Sequence, residues 1–335
     1  MRRLLWICFF LPIPIIAVVG GLLSELHSPY YNGVREETFI YIPPGANAAK
    51  VAGLLKEQGI LHTKLPFRLW LRRNGFDRSL KAGEYRFSGM STPIEIAERL
   101  SRGDVYFRSI TIPEGLTAQE TVVLLANGGF GNREKLEAAL LRVDLIRDLS
   151  PSAQNLEGYL FPETYRFGRR DDEEALISAM VNQFRLRMNK ILEESQLQND
   201  WTVSRIVTLA SMIEKEVKTP SEQPVVASVI FNRLRLNMTL GIDATIIYAM
   251  KLAGTWNGNI RRSDLQMESP YNTYIHRDLP PGPICNPGES AIRAALNPEK
   301  TDFIFYVSKN DGTHQFSKDI HSHNNAVNLY QRSGR

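Results

Sequence analysis

The chain has 335 residues, of which 43% are hydrophobic and 23% are charged, and its formal net charge is +4. These fractions are typical of a folded protein and argue against disorder. A small positive charge without an arginine-rich run or a helix-turn-helix pattern argues against a nucleic-acid-binding protein. Of the two cysteines, Cys8 lies in an apolar N-terminal run and Cys285 lies far downstream, so we expect neither a disulfide nor a cysteine metal site.

The N-terminus predicts a membrane anchor. Arg2 and Arg3 precede an apolar run over residues 4–23, which at about 20 residues is long enough to cross a bilayer as a helix. The run does not end in the small-residue cleavage site of a signal peptide, so we expect residues 1–23 to form a cytoplasmic tip and an uncleaved transmembrane anchor. Arginines on the short N-terminal side place the remaining chain outside the cytoplasm. Residues 24–37 then form a polar linker.

Residues 38–105 have the pattern of a small α+β module. A strand is predicted where apolar and polar residues alternate, and a helix where apolar residues recur every three or four positions. Thr92 followed by Pro93 is a typical helix start, and Gly59 a typical helix end. The predicted elements are strands at 38–43 and 81–87 and helices at 46–58, 66–74 and 92–100.

Residues 106–150 partly repeat this module. Arg108–Gly115 and Thr38–Gly45 both contain an alternating strand, a proline and a glycine, and each is followed by a helix, here over 117–126. Two copies indicate paired small modules rather than a solenoid, which needs more repeats. The pattern alone is compatible with generic strand–turn–helix units and with a LysM-like module that docks on glycan.

The sequence character changes at residue 151, where long amphipathic helices are predicted. Between residues 241 and 288 the chain is rich in Tyr, Asn, Pro and Gly, the composition of loops that carry binding groups on a helical scaffold. Asn310-Asp-Gly312 predicts a hairpin between two strands at 303–307 and 313–316. The predicted helices of this part are 173–194, 203–217 and 224–236.

One predicted helix carries a glutamate on its apolar face. At 3.6 residues per turn, the residues of this apolar stripe are Val203, Val207, Ala210, Glu214 and Val217. Glu216 points elsewhere. Burial of Glu214 should raise its pKa and keep it protonated, the state that a general acid needs. A structural ion pair of Glu214 with Arg205 or Arg233 would account for the pattern equally well.

Several sequence blocks resemble the MltG (YceG-like) endolytic murein transglycosylase family. The blocks occur in the family's order and run almost through the whole chain. They are Leu156-Glu-Gly-Tyr-Leu-Phe-Pro-Glu-Thr-Tyr-Arg-Phe167, Leu209-Ala-Ser-Met-Ile-Glu-Lys-Glu216, Val226-Ala-Ser-Val-Ile-Phe-Asn-Arg-Leu234, Tyr271-Asn-Thr-Tyr274, Leu279-Pro-Pro-Gly-Pro-Ile-Cys-Asn-Pro-Gly288, Gly312-Thr-His-Gln-Phe-Ser317 and His323.

The resemblance implies a catalytic domain at 151–335 in which Glu214 is the catalytic residue. The substrate-binding residues are then expected among Asp243, Thr245, Tyr271, Asn272 and Thr273. The implied fold is α+β: an N-terminal transmembrane helix, a LysM-like α+β module, and a mixed, mainly helical catalytic domain with a small β-sheet. The implied location is the cell (inner) membrane, single-pass, with the catalytic part periplasmic or extracellular.

The implied activity is cleavage of the MurNAc–GlcNAc bond within peptidoglycan glycan strands. The products carry 1,6-anhydro-MurNAc ends, and the reaction would terminate or trim nascent strands. One carboxyl group suffices, because it can protonate the glycosidic oxygen and then accept the proton of the attacking 6-hydroxyl group. The expected partners are glycan strands, the bilayer and peptidoglycan synthases, with no cofactor and no nucleic acid.

Two alternatives remain open from the residues. A muramidase would need a second carboxylate, for which Asp243 is the candidate beside Glu214. A non-catalytic LysM-like scaffold would bind the wall without cleaving it. The chain also departs from the family at two positions. Ala244 stands where many relatives have proline, so the loop at 241–245 lacks the proline-set turn, and Glu163 stands where aspartate is common.

Three histidines near the C-terminus could suggest a metal site. His321 and His323 have the His-x-His spacing of a zinc ligand pair, and His314 lies nearby. A fuller set of ligands is expected of a zinc site, and we therefore predict hydrogen-bonding histidines and no metal.

Overall fold

The structure, a computed structural model, describes residues 12–29, 37–195 and 201–332. The chain divides into two compact units. The first unit comprises the described residues up to Arg108 together with Gly168–Arg170, and the second comprises Ser109–Phe167 and the described residues from Asp171 onward. Both units combine helices with two-stranded sheets, which confirms the predicted mixed α+β class for the described residues.

The first unit packs helices on a two-stranded antiparallel sheet. Thr38 pairs with Phe87 and Ile42 with Gly83. The alternation predicted for the first strand is present, because Ile40 and Ile42 are buried while Tyr41 is exposed. The elements are α1 (Pro12–His27), β1 (Thr38–Ile42), α2 (Ala48–Glu57), α3 (Leu65–Arg73), β2 (Gly83–Phe87) and α4 (Pro93–Arg102).

Side-chain caps fix the helix starts that the sequence predicted in this unit. The Thr92 hydroxyl group accepts a hydrogen bond from the Glu95 backbone N–H, and the Glu95 carboxylate accepts one from the Thr92 N–H. This reciprocal pair satisfies two backbone donors at the start of α4. Asn47 caps α2 by accepting a hydrogen bond from the Lys50 N–H at 2.9 Å.

The predicted membrane anchor lies only partly within the described residues. Residues 4–11 of the apolar run are outside them, and the rest belongs to α1. Within the described ranges, the structure contains no helix that is long and apolar enough to cross a membrane. At the other end of α1, Leu26 is buried and the Glu25 carboxylate accepts a 2.6 Å hydrogen bond from Thr63.

The second unit is mainly helical. Its strands pair as β3 with β4 and β5 with β6, the latter antiparallel with Ser308 opposite His314. The predicted hairpin is confirmed, and Asn310 and Gly312 adopt the positive φ angles of its turn. The elements are β3 (Arg108–Thr111), α5 (Ala118–Asn127), α6 (Arg133–Ala139), β4 (Thr164–Phe167), α7 (Glu173–Glu194), α8 (Val203–Glu216), α9 (Gln223–Arg235), α10 (Asp243–Leu252), α11 (Glu289–Leu296), β5 (Phe305–Ser308), β6 (His314–Ser317) and α12 (Ile320–Val327).

Helix α8 lies in the core of the second unit. All eight residues from Ile206 to Ile213 are buried, which exceeds the stripe that the sequence predicted. The helix contacts α9, α10 and α11, so apolar side chains on most of its circumference have partners. The exception is the last turn, where the polar residues Glu214, Lys215 and Glu216 follow the buried segment.

Candidate functional site

The last turn of α8 carries two carboxyl groups that face different surroundings. Residues two positions apart point about 200° apart around a helix, so Glu214 and Glu216 project to nearly opposite sides. Both side chains are only partly exposed. Each is therefore a candidate for a carboxyl group held in its protonated form.

Glu214 lies beside the loop that begins α11. Its carboxylate accepts a hydrogen bond from the Gly288 N–H at 3.1 Å. The Glu114 carboxylate lies against the same glycine, because a Cβ atom on Gly288 would be 2.1 Å from its Oε1 atom. Burial raises the pKa of Glu214 and the negative charge of Glu114 adds to this, whereas the Gly288 hydrogen bond and Lys215 oppose it. The result is a raised pKa, as the sequence predicted.

Two loops are held together beside Glu214. The Gly115 N–H donates to the Asn286 carbonyl at 2.9 Å, and the Asn286 N–H donates to the Leu116 carbonyl at 2.8 Å. Lys215 adds a 3.2 Å hydrogen bond to the Gly115 carbonyl. The conformation around Glu214 is thus fixed mainly by backbone contacts.

Glu216 faces a cluster of polar side chains. The Tyr306 hydroxyl group donates a 2.6 Å hydrogen bond to its carboxylate. Burial raises the pKa of Glu216 and the negative charge of Asp243 adds to this, while the Tyr306 hydrogen bond and the positive charges of His314 and Arg233 oppose it. Burial dominates, which favours the protonated form of Glu216.

The members of this cluster are themselves held in place. His314 Nδ1 lies 2.7 Å from the Glu222 carboxylate, which also accepts a hydrogen bond from the His314 backbone N–H at 3.0 Å. The Arg233 guanidinium group donates to the carbonyls of Leu240 at 2.6 Å and Ile304 at 2.7 Å. Because these contacts join α9 to the β5–β6 hairpin, they orient the cluster around Glu216.

Asp243 is the predicted substrate-binding residue that the structure brings to this cluster. It is exposed at the start of α10 and accepts a hydrogen bond from the Tyr274 hydroxyl group. Its charge acts on the Glu216 carboxyl group, whereas Glu114 and Lys215 are the charged neighbours of Glu214. A direct contact of Asp243 with substrate stays a prediction.

Three other predicted substrate-binding residues are buried. The Thr245 and Thr273 hydroxyl groups lie 2.8 Å apart, and the latter accepts a hydrogen bond from the Ile242 N–H. The Asn272 amide group donates to the carbonyls of Leu265 and Met267. These contacts hold the loop before Tyr274 against the start of α10. They favour a positioning role for Thr245, Asn272 and Thr273, and substrate contact by them stays a prediction.

Tyr271 lies in a different environment. Its ring packs against Tyr248 with centroids 4.9 Å apart, and Tyr248 donates a hydrogen bond to buried Glu157 at 3.3 Å. Glu157 also accepts a 2.9 Å hydrogen bond from the Ala118 N–H at the start of α5. The structure thus does not include Tyr271 among the groups that contact Glu216.

The polar surroundings of Glu216 were not among the features that the sequence predicted. The apolar stripe through Glu214 predicts nothing about the opposite side of the helix, where Glu216 contacts Tyr306. Tyr274 and His314 were within the matched blocks but had no assigned role at this carboxyl group. An acidic residue two positions after another at a helix end was the available signal.

The predicted hydrogen bonding is confirmed for His314, whereas the buried Nδ1 atom of His323 has no hydrogen-bond partner among the described residues. The described part of the chain contains no group of three or more His, Cys, Asp or Glu residues that could hold a metal ion. His314 pairs with Glu222. His323 stacks on Phe305, with ring centroids 5.0 Å apart, and burial lowers its pKa.

A family model described as the YceG-like family matches residues 40–329. The chain belongs to this YceG-like family. The match covers most of both units and includes Glu214, Glu216 and the residues described around them.

Known proteins support the same assignment. An endolytic murein transglycosylase of Bacillus subtilis is 30% identical, and the match covers 93% of this chain and 91% of that protein. One of Streptococcus pneumoniae is 28% identical over 80% of this chain, and the match spans about half (53%) of that longer protein. The crystal structure of a yceG-like protein from Listeria monocytogenes has a TM-score of 0.58 and 29% identity, and the match covers 87% of this chain and 99% of that one.

Proposed function

We propose that this protein is an endolytic murein transglycosylase, a lyase that cleaves the MurNAc–GlcNAc bond within peptidoglycan strands and leaves 1,6-anhydro-MurNAc ends. The family match and the names of the Bacillus and Streptococcus relatives support this activity. They do not favour the muramidase or the non-catalytic scaffold. The enzyme thus acts on the cell wall, and its reaction consumes no water.

The observation that carries the mechanism is a pair of partly buried carboxyl groups with raised pKa values at the end of α8. In its protonated form, the acid donates its proton to the glycosidic oxygen as the bond to C1 of MurNAc breaks. The resulting carboxylate accepts the proton of the MurNAc 6-hydroxyl group, whose oxygen bonds to C1. The proton count closes, because the carboxyl group ends protonated as it began.

The polar surroundings favour Glu216 as this acid. Polar side chains from α9, α10, the Tyr274 loop and the hairpin converge on Glu216, and convergent polar groups beside a carboxyl group of raised pKa are typical of active sites. The Tyr306 hydroxyl group fixes the rotamer of the acid. Asp243 and Tyr274, on the exposed side, are candidates for binding the sugar.

Glu214 remains the second candidate, as the family resemblance implies. Its raised pKa supports it, and so does the contact with Gly288 of the Leu279–Gly288 block. Its surroundings consist mainly of backbone groups and Glu114, which offer fewer side-chain donors to a sugar. A single pair of variants separates the two candidates.

The test is muropeptide analysis by mass spectrometry after incubating the full-length protein with purified peptidoglycan. We expect Glu216→Gln to abolish 1,6-anhydro ends, a loss of at least about 100-fold in rate, and Glu214→Gln to retain them. The reverse pattern would assign the acid to Glu214. Reducing ends made by the parent would replace the transglycosylase with a muramidase.

The N-terminal part supplies the proposed location. The charge pattern of residues 1–23 supports a single-pass anchor in the cell membrane with the rest of the chain outside, and residues 24–37 as linker. The resemblance supports a LysM-like, glycan-binding module at 38–105, a second module at 106–150 and a catalytic domain at 151–335. Peptidoglycan synthases are the proposed neighbours. Extraction of membranes with alkaline carbonate tests the anchor, since release into the wash would refute it.

A further inference from the structure

A cavity lies in the second unit, beside the first turn of α8. It has a volume of about 630 Å³. One wall is apolar, formed by Leu234 and by the rings of Trp201 and Phe231, whose centroids lie 4.6 Å apart. Arg235 and Arg277 are also part of its lining. We call it the arginine cavity.

The charges of the arginine cavity are not balanced. Arg205 is engaged, because it lies 5.1 Å over the Trp201 ring and forms a 3.2 Å ion pair with Asp278. Arg235 and Arg277 are exposed, and among residues 12–29, 37–195 and 201–332 neither has an ion-pair or side-chain hydrogen-bond partner. Two positive charges therefore remain beside an apolar wall, which suits an anionic ligand with an apolar portion.

The arginine cavity lies on the same side of α8 as Glu216. Glu216 follows Arg205 by eleven residues in this helix, which is close to three full turns and about 16 Å along the axis. The loop from Tyr274 to Asp278 connects the two places a second time, since Tyr274 contacts Asp243 and Asp278 lines the cavity. A substrate bound at Glu216 thus has a neighbouring anion-binding cavity, whose residue Arg205 lies about 16 Å from Glu216 along the helix axis.

We propose that the arginine cavity binds the C-terminal carboxylate of the stem peptide of the strand being cleaved. This inference rests on the proposed function and on Glu216 as the reacting end. An extended chain spans about 3.3 Å per residue, so a pentapeptide attached to the MurNAc at the cleavage site covers about 16 Å. The guanidinium groups of Arg235 and Arg277 bind the carboxylate, and the apolar wall contacts the methyl groups of the last residues of the peptide. The cavity thereby selects strands that carry full-length, unamidated peptides.

Direct binding tests the inference without catalysis. The probe is the peptide N-acetyl-L-Ala-γ-D-Glu-L-Lys-D-Ala-D-Ala, compared with its C-terminal amide and titrated into the full-length protein by NMR at low salt. We expect the free acid to bind about tenfold more tightly than the amide. The double variant Arg235→Gln/Arg277→Gln should remove that difference. The matched control Arg147→Gln/Lys190→Gln loses the same charge from exposed positions outside the cavity and should keep the difference.

Three outcomes overturn the inference. The first is equal binding of the acid and the amide, and the second is a double variant that prefers the acid as strongly as the control variant does. The third is a cavity that binds another anionic polymer, oligomeric glycerol phosphate, and not the peptide. The circular dichroism spectrum of the double variant shows that it is folded. Cleavage of purified, peptide-bearing peptidoglycan by the parent is measured separately, and the 1,6-anhydro ends that it yields report on the proposed function. If the parent binds the peptide but produces no 1,6-anhydro ends, the transglycosylase is refuted and the peptide site stands.

Discussion

Replacing Glu157 by glutamine should make the second unit more stable at alkaline pH. Glu157 is buried, and burial raises its pKa to about 8 against the hydrogen bonds from Ala118 and Tyr248, which lower it. In the unfolded chain its pKa is near 4.5. The folded state therefore holds the proton more tightly, so stability falls as pH rises from about 4.5 to about 8 and then levels off.

The size of this loss of stability follows from the pKa values of Glu157 in the folded and the unfolded chain. At about 1.36 kcal/mol per pKa unit, a rise from 4.5 to about 8 corresponds to about 5 kcal/mol of stability lost between pH 4.5 and pH 9. Relaxation around the ionised group makes this an upper limit. Glutamine keeps an acceptor for the Ala118 N–H and cannot ionise. The variant should lack this part of the pH dependence.

The assay is urea unfolding at half-unit steps from pH 5 to pH 9, followed by near-UV circular dichroism. The free energy of unfolding of the parent should fall several kcal/mol further over this range than that of Glu157→Gln. Glu134→Gln, at an exposed position, is the control and should follow the parent. Parallel curves for the parent and Glu157→Gln would refute the assignment of a buried, neutral Glu157.

Two further predictions concern the acid and the packing of the glycine in the Leu156–Phe167 block. Tyr306→Phe removes the hydrogen bond that lowers the pKa of Glu216. The alkaline limb of the kcat/KM profile should therefore move to higher pH, and kcat should fall about tenfold. An alkaline limb that does not move would exclude Glu216 as the acid. Gly158→Ala should cost about 3 kcal/mol of unfolding free energy in urea, because φ is +86° and the new Cβ atom would lie 2.4 Å from Pro283. Gly254→Ala, with φ of +69° and open space, should cost about 1 kcal/mol, and equal losses would contradict the steric argument.

Local patterns in the sequence predicted most of the helices and the hairpin. Thr92 and Pro93 predicted the start of α4, and the predicted helix 173–194 has the bounds of α7. These features depend on residues within one or two turns of each other. Residues 4–11 of the predicted anchor lie outside the described residues, so the structure describes only part of that segment.

The surroundings of the two carboxyl groups could not be predicted in this way. The apolar stripe correctly indicated a raised pKa for Glu214, but the partner of Glu216 is 90 residues away in sequence. Helical periodicity predicts on which face of the helix a residue lies, and it does not predict which residues pack against that face. Asn272 and Thr273 illustrate the same limit, because polar residues in a loop can bind a sugar or hold the loop, and their contacts here are internal.

The hydrogen bond between Tyr306 and Glu216 has a consequence for how the enzyme is made. Helix α8 ends at Glu216, and the hairpin that carries Tyr306 and His314 follows only about 90 residues later in the sequence, so it is made after the helix. Until that hairpin docks, Glu216 lacks the hydroxyl group that orients it. A chain in which the hairpin has not docked therefore lacks the oriented acid of the proposed mechanism, and the last strands to be made complete the site.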